Sequence, residues 1–283
     1  MKHKTVFLAL IVLQYFAFAN DTELLNEYKL LYLDLSNVDT MGYKSHFNNL
    51  NNRAGEDINF SQGALIHTGI LTDLAIIGEG FLKIRLDNDI AGYTRAGDFR
   101  IDANGNFVTP QGYFLYDNIN LPGLFLLETL RITRYGRVFI RIAEGSRREE
   151  IREIEAGQIK IHRVPSDLLI RYSDTIFIIK PGAEYTEERE EKIEFTSLVD
   201  EISYELNSPR IFPQCLEHSN VHYLPVVLRM YYILSVIGDG YISNIEFKKE
   251  ILKVIFDNIV NSTRQEDILL YTKTILPYLR FDY

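Results

Sequence analysis

Cysteine is nearly missing from this sequence. Cys215 is the only one in 283 residues, which excludes an intramolecular disulfide framework and any multi-cysteine metal site. Tryptophan is absent as well, although 18 Tyr and 17 Phe keep the aromatic content at 12%. Basic residues are in deficit: 30 Lys and Arg stand against 39 Asp and Glu, for a formal charge of −9. That balance argues against a protein held on nucleic acid through phosphate contacts, which needs a basic face. There is no G-x-S-x-G, no P-loop and no dinucleotide fingerprint, so the common enzyme signatures are missing. Long low-complexity tracts and internal repeats are missing too. What remains is 46% hydrophobic and 24% charged, close to the averages for a soluble globular protein. The length allows one large domain or two ordinary ones with a real core.

The first residues stand apart. Lys2, His3 and Lys4 precede an apolar run from Val6 to Leu13, and Ala17-Phe18-Ala19 follows. A basic start, a short apolar centre and an A-x-A ending describe a secretory signal peptide cleaved after Ala19. The run is shorter than the ~20 residues of a membrane-spanning helix. The alternative is an apolar helix that begins the fold. No later segment is long enough to span a bilayer.

From about Phe60 to Lys180, short apolar runs alternate with turn signals. Phe81-Leu82-Lys83-Ile84-Arg85-Leu86 alternates apolar and basic residues, as a strand with one buried face does. Phe99-Arg100-Ile101 and Phe107-Val108-Thr109 flank a loop containing Asn104-Gly105, a tight-hairpin signal. Further strands are expected at 75–77, 113–116, 130–133, 138–142, 158–162 and 175–179. The ends read as helix. Leu24, Leu25, Tyr28, Leu31, Tyr32 and Leu35 recur at spacings of three and four, an amphipathic stripe over 22–35. Helices are also expected at 226–237, 245–260 and 267–279. The expected fold is a mostly β central body, antiparallel and sandwich- or barrel-like. N- and C-terminal helices that pack together flank it, with an extra helical C-terminal tail. The expected divisions are 1–19 (signal-like), 20–59 (N-terminal helix and motif), 60–183 (β-rich domain), 184–209 (charged connector), 210–236 (C-terminal motif and helix) and 237–283 (helical tail).

Four segments together resemble the axial proteins of the bacterial flagellar rod and hook. Asn37-Val38-Asp39-Thr40-Met41-Gly42-Tyr43-Lys44 is similar to the family's N-N-L-A-N-V-N-T-x-G-[YF]-K signature. Phe60-Ser61-Gln62-Gly63-Ala64-Leu65, with Leu74 to Phe81 behind it, is similar to F-x-Q-G-x-L and to L-A-I-x-G-[DE]-G-F. The third segment is Tyr93-Thr94-Arg95-Ala96-Gly97-Asp98-Phe99, and the fourth Gln214-Cys215-Leu216-Glu217-His218-Ser219-Asn220-Val221. The fourth resembles the Q-G-x-L-E-x-S-N-V that opens the family's C-terminal helix. The likeness covers about Asn37 to Val221 and is nearest to rod proteins of the FlgF and FlgG type, since little room exists for extra outer domains. It implies a structural subunit of the basal-body rod, assembled with itself and other rod and hook proteins in the periplasm. It implies no catalysis, no cofactor, no nucleic acid and no small-molecule substrate. The residues it marks as an assembly motif are Asn37, Thr40, Gly42, Tyr43, Lys44, Gln62, Gly63, Gly78, Gly80, Phe81, Tyr93, Thr94, Arg95, Gly97, Phe99, Leu216, Glu217, Ser219, Asn220 and Val221.

The chain departs from the family pattern in its leader, at Asp39 and Leu33 to Ser36, and in its tail beyond Val221. The tail suggests a diverged member, including one that no longer polymerises. Two chemical readings compete with the structural one. Gly238 to Glu246 resembles half of a calcium-binding EF-hand loop, but Ser235 and Ile237 stand where the first oxygen ligands belong. His218 and His222 have the i,i+4 spacing of a zinc pair, yet no H-E-x-x-H motif surrounds them. A metal-dependent hydrolase built on that pair is therefore a distant alternative. Cys215 replaces the family's glycine, and His67 reads as a surface or interface residue.

Overall fold

The structure, a computed structural model, describes residues 21–46, 58–117, 119–123, 125–144, 150–186, 208–237, 244–261 and 276–279. The leader, the acidic run after Thr186, the 238–243 turn and most of the helix expected over 267–279 lie outside the described residues. Only a single 3-10 turn, Leu276–Leu279, is seen of the last. No described helix is long and apolar enough to cross a membrane. The chain divides into a helical unit (1–39, 45–59 and 221–283) and a β unit (40–44 and 60–220).

In the helical unit, α1 (Asp21–Ser36) turns Leu24, Tyr28, Leu31 and Leu35 inward, the face set by 3.6-residue periodicity. Asn37 closes its last turn, donating from its backbone N and its Nδ2 to Leu33 O at 3.1 and 3.0 Å. Asp34, fully buried, accepts the His46 backbone N–H and lies 2.7 Å from His46 Nδ1. Two helices follow near the C-terminus, α2 (Tyr223–Val236) and α3 (Ile245–Asn261). Pro225 falls in the first turn of α2, where no intrahelical donor is lost. Glu246 falls in the first turn of α3, where the helix dipole favours an anion. Both α1 and α3 pack on α2. A bidentate pair joins the first two, Arg229 Nε and Nη2 donating to Glu27 at 2.6 and 2.7 Å.

The β unit holds fourteen strands among the described residues. They are β1 (Leu65–His67), β2 (Leu74–Ile77), β3 (Leu82–Arg85), β4 (Ala91–Thr94), β5 (Arg100–Ile101), β6 (Phe107–Val108), β7 (Phe114–Leu115), β8 (Phe125–Ile132), β9 (Arg137–Glu144), β10 (Glu150–Gln158), β11 (Leu169–Arg171), β12 (Ile176–Ile179), β13 (Arg210–Pro213) and β14 (Cys215–Glu217). Every pairing is antiparallel. One sheet runs β11-β12-β4-β3-β7-β6-β5, a second β10-β9-β8, and β1-β14 and β13-β2 form two short pairs. Among the described residues no sheet closes into a barrel. One apolar core is fed from several of them: Leu74 and Ile76 of β2, Leu82 and Ile84 of β3, Val138 and Ile140 of β9, and Ile211 of β13.

The β5–β6 hairpin forms where the Asn-Gly signal lies. Asp102 Oδ1 accepts the backbone N–H of Asn104 and Asn106 at 2.9 and 2.8 Å, and Gly105 takes a positive φ of 83°. The strand expected at 158–162 is displaced. The chain is extended earlier, over β10, and His162 makes only an isolated bridge to Phe81. The reason is that β10 is held by cross-strand charge as well as by an apolar face. Glu155 pairs with Arg137 of the adjacent β9, and Glu153 reaches Arg131 on β8, one strand further on; such cross-strand pairs stabilise a sheet without hydrophobic alternation. The fourth motif segment is also not the opening of a helix: Cys215–Glu217 is a strand, and α2 starts at Tyr223.

Candidate functional site

Glu217 is the point on which the motif segments of the β unit converge. It ends β14, whose register pairs it with Leu65 of β1, and it has no exposed surface. Its Oε1 takes the Lys44 ammonium in a short hydrogen bond and the Gly63 backbone N–H at 2.8 Å. Its Oε2 takes Arg95 Nη1 at 3.1 Å, and its backbone carbonyl accepts Gly42 N–H at 2.7 Å. Lys44 is fully buried and Arg95 is 4% exposed. Burial lowers the affinity of both for a proton, and the Glu217 charge opposes that effect. Two buried cations against one carboxylate are costly to desolvate, and such a group persists only where further hydrogen bonds complete it.

Most of those further bonds are present, Arg95 Nε being the donor without a hydrogen-bond partner among the described residues. Lys44 Nζ also donates to Ser61 O at 2.8 Å, and Arg95 Nη2 to Gly78 O at 2.6 Å. Gln62 bridges the same loop, donating to Ile76 O at 2.8 Å and accepting Gly78 N–H at 3.1 Å. Asn220 Nδ2 donates to Ser61 O at 2.9 Å. Close backbone approach lets the segments meet. Gly42 has φ +73°, and a Cβ there would lie 2.2 Å from Ala96 N. A Cβ on Gly97 would lie 1.7 Å from Leu74 O. Both positions therefore need glycine.

Beside this cluster lies an aromatic one. Phe81 meets Phe60 edge to face at 5.3 Å, and Tyr93 at 6.4 Å. Tyr43 lies under the Arg171 guanidinium at 4.6 Å, and Arg171 also donates to Lys44 O. Gly80, with φ +113°, precedes Phe81. Thr94 Oγ1 donates to Thr175 O at 2.8 Å and accepts Ala96 N–H at 3.0 Å. Thr40 O receives Tyr43 N–H at 3.2 Å in the turn that delivers Lys44. Leu216 and Ser219 are buried on either side of Glu217.

The structure thus gathers Gly42, Tyr43, Lys44, Gln62, Gly63, Gly78, Arg95, Glu217 and Asn220. Phe99 packs elsewhere in the β unit, against Phe107 at 6.4 Å. Asn37 and Val221 belong to the helical unit. Sequence reasoning did not single out Ser61 or Arg171. Ser61 acts through its carbonyl, to which side-chain type gives no clue. Arg171 comes from a strand far along the chain.

Asp73 sits nearby, 3% exposed, and its Oδ2 has no hydrogen-bond partner among the described residues. Burial raises its pKa, helped by the charge of Asp98 and opposed by the Thr68 hydroxyl. Cys215 Sγ lies 3.6 Å from His67 Nδ1, but burial and Asp73 push the thiol pKa up, the reverse of what activates a nucleophile. His218 precedes α2 and His222 is its N-cap, so the two do not share a helical face. Among the described residues, no group of three or more His, Cys, Asp and Glu side chains could hold a metal ion. Glu217, with both oxygens already engaged by donors, is an anchor.

Fold and site together define a β unit closed by a buried ionic clamp, with helical segments from both ends of the chain. Residues 75–140 match the family described as flagellar hook protein FlgE/F/G D1 domain. The flagellar basal-body rod protein FlgG of Borreliella burgdorferi is 40% identical over 104 residues, 37% of each chain. The FlgG of Agrobacterium fabrum is 42% identical over 86 residues, 30% of this chain and 32% of the relative. Flagellar basal-body rod protein FlgF of Buchnera aphidicola subsp. Schizaphis graminum is 30% identical over 174 residues, 56% of this chain and 67% of the relative. This chain therefore spans about a third of the length of the FlgG relatives and two thirds of the FlgF one. The chain belongs to the family of flagellar rod and hook proteins.

Proposed function

We propose that the chain is a structural subunit of the bacterial flagellar basal body, forming part of the rod by packing against itself and against sibling rod and hook proteins. The outer face of α2 carries this reading. Leu224, Leu228 and Tyr231, at i, i+4 and i+7, are 40%, 48% and 43% exposed, while Val226, Val227, Met230, Ile233 and Leu234 are buried. An apolar stripe left on a helix that already buries its other face is an interaction surface. Head-to-tail use of such surfaces yields an open helical filament. The motif residues serve assembly from within, because the clamp on Glu217 holds the β unit in one shape while load passes through it. The same reading includes a sandwich-like stacking of its sheets, a periplasmic location, a cleaved leader at 1–19, and no catalytic role.

A second reading is a basal-body scaffold that does not polymerise. It is favoured by α3, which packs against α2 and takes up helix surface that a neighbouring subunit would use. Fractionation decides between them. The rod reading expects the protein in purified hook-basal bodies and rods lost on gene deletion. A freely soluble protein, with motile deletion cells, overturns it. The mass of the mature protein tests removal of residues 1–19.

A further inference from the structure

Resting on the rod-subunit reading, we propose that the C-terminal turn Leu276–Leu279 is a latch. It covers a seat on α1 that fits the exposed apolar stripe of α2 from a second copy of this chain. The turn packs on both α1 and α3. The Tyr28 hydroxyl of α1 donates to Leu279 O at 3.2 Å, across 251 positions of sequence. Tyr28 and Leu279 are each 0% exposed. Tyr28 lies on the apolar face of α1 with Leu24, Leu31 and Leu35. Burial, helped by Tyr32, pushes its phenol pKa up, so the hydroxyl keeps the proton it donates.

The helical unit is thereby closed on itself. α1 and α3 both pack on α2, and the turn spans from α1 to α3. α3 adds Ile245, Ile251, Leu252 and Ile255 to the buried residues. Leu224, Leu228 and Tyr231 of α2 nevertheless stay 40–48% exposed. One copy thus displays one half of an apolar helix contact and hides the other half.

What hides the seat is small. The turn has four residues, against 16, 14 and 17 in α1, α2 and α3, and a neutral hydroxyl ties it to α1. Segments that bury little surface open at low cost. The longer apolar face of a second α2 offers more area and displaces the turn by mass action. Once the turn leaves, α1 of one copy accepts α2 of the next. Each copy carries both the seat and the stripe, so the contact is heterologous and propagates.

The test uses the full chain. Leu279→Asp opens the latch by placing a charge at a fully buried position. Tyr28→Phe removes only the hydroxyl, and Leu228→Asp spoils the stripe at a 48% exposed position. Sedimentation velocity reads association, circular dichroism confirms helix content, and hydrogen exchange reads α1. Expected is a monomeric unaltered chain and an L279D chain that self-associates at least roughly tenfold more tightly, because apparent affinity follows the fraction of molecules with an open seat. Exchange over residues 24–35 quickens in dilute L279D. Y28F shifts association the same way by less, and adding L228D to L279D abolishes it. A synthetic peptide of residues 262–283, in excess, returns L279D to monomer.

An L279D chain that stays monomeric with native helix content overturns the latch, as does unchanged protection of α1. Association indifferent to L228D also overturns it, because α2 is then not the occupant. Should L279D lose its helix content, Y28F decides: association no tighter than that of the unaltered chain overturns the latch. Co-fractionation with hook-basal bodies is scored separately. If it persists while L279D stays monomeric, only the latch is lost; if it fails while L279D associates, the rod reading is lost and the latch stands.

Discussion

The two units bury charge differently. In the β unit, Lys44, Arg95 and Glu217 are 0–4% exposed and tied to backbone groups from several loops. In the helical unit, strongly buried charge is limited among the described residues to Asp34, bonded by His46, and Lys248; the Glu27–Arg229 pair keeps 15–16% exposure, and the faces between the helices are largely aliphatic. A buried cluster that needs each donor in place fixes residue identity. An aliphatic helix interface fixes only pattern and volume. The family match at residues 75–140 lies inside the β unit and includes Gly78 and Arg95 of this cluster.

The strongest way to break this contrast is to remove the shared anion. Glu217→Ala leaves two buried cations unpaired and is expected to cost about 3–5 kcal/mol. Denaturant melts measure the loss, and hydrogen exchange should show lost protection in β1 and β14. Glu217→Asp should fail to rescue, since a shorter side chain cannot reach both cations. In the helical unit the opposite holds. Met230→Ala, at a fully buried site, should cost about 2–5 kcal/mol, while Met230→Leu should cost less than about 1.5 kcal/mol. If Glu217→Asp were tolerated and Met230→Leu were not, the contrast would be wrong.

How much of this was legible in the sequence follows the same line. The stripe Leu24, Tyr28, Leu31, Leu35 and the Asn104-Gly105 hairpin were readable because periodicity and turn chemistry are local. The residues around Glu217 could be singled out only through family resemblance. No local rule says that Lys44, Gly63 and Arg95 meet one carboxylate from positions this far apart. β10 was missed because its stability comes partly from Arg131–Glu153 and Arg137–Glu155 across strands. Ile151 and Ile154 lie three apart among charged residues, so the period-2 alternation that marks a half-buried strand is broken there.

Smaller effects sharpen the comparison. Gly97→Ala places a methyl group against Leu74 O and strains the Leu74 N to Gly97 O bond of 3.0 Å. A loss of about 1–3 kcal/mol in a denaturant melt is expected, as for other overpacked sites. Glu27→Gln weakens a pair that water partly screens, and should cost no more than about 1 kcal/mol. High salt should shrink that difference while leaving the Gly97→Ala loss unchanged.

The smallest effect is at Asp73, where pH supplies the probe. Its ordinary value is 3.8, and burial raises it in the folded protein. The unfolded chain therefore releases this proton first as pH rises. The group's favourable contribution is fully present below 3.8 and is lost as pH climbs through the raised folded value. At neutral pH the ionised carboxylate sits buried with an Oδ2 that lacks a protein partner among the described residues. Asp73→Asn should thus melt at or above the unaltered protein's temperature at pH 7. That advantage should fade as pH falls toward 3.8, where both side chains are neutral. An advantage that instead grew on acidification would mean that the Thr68 hydroxyl bond, not burial, governs this carboxylate.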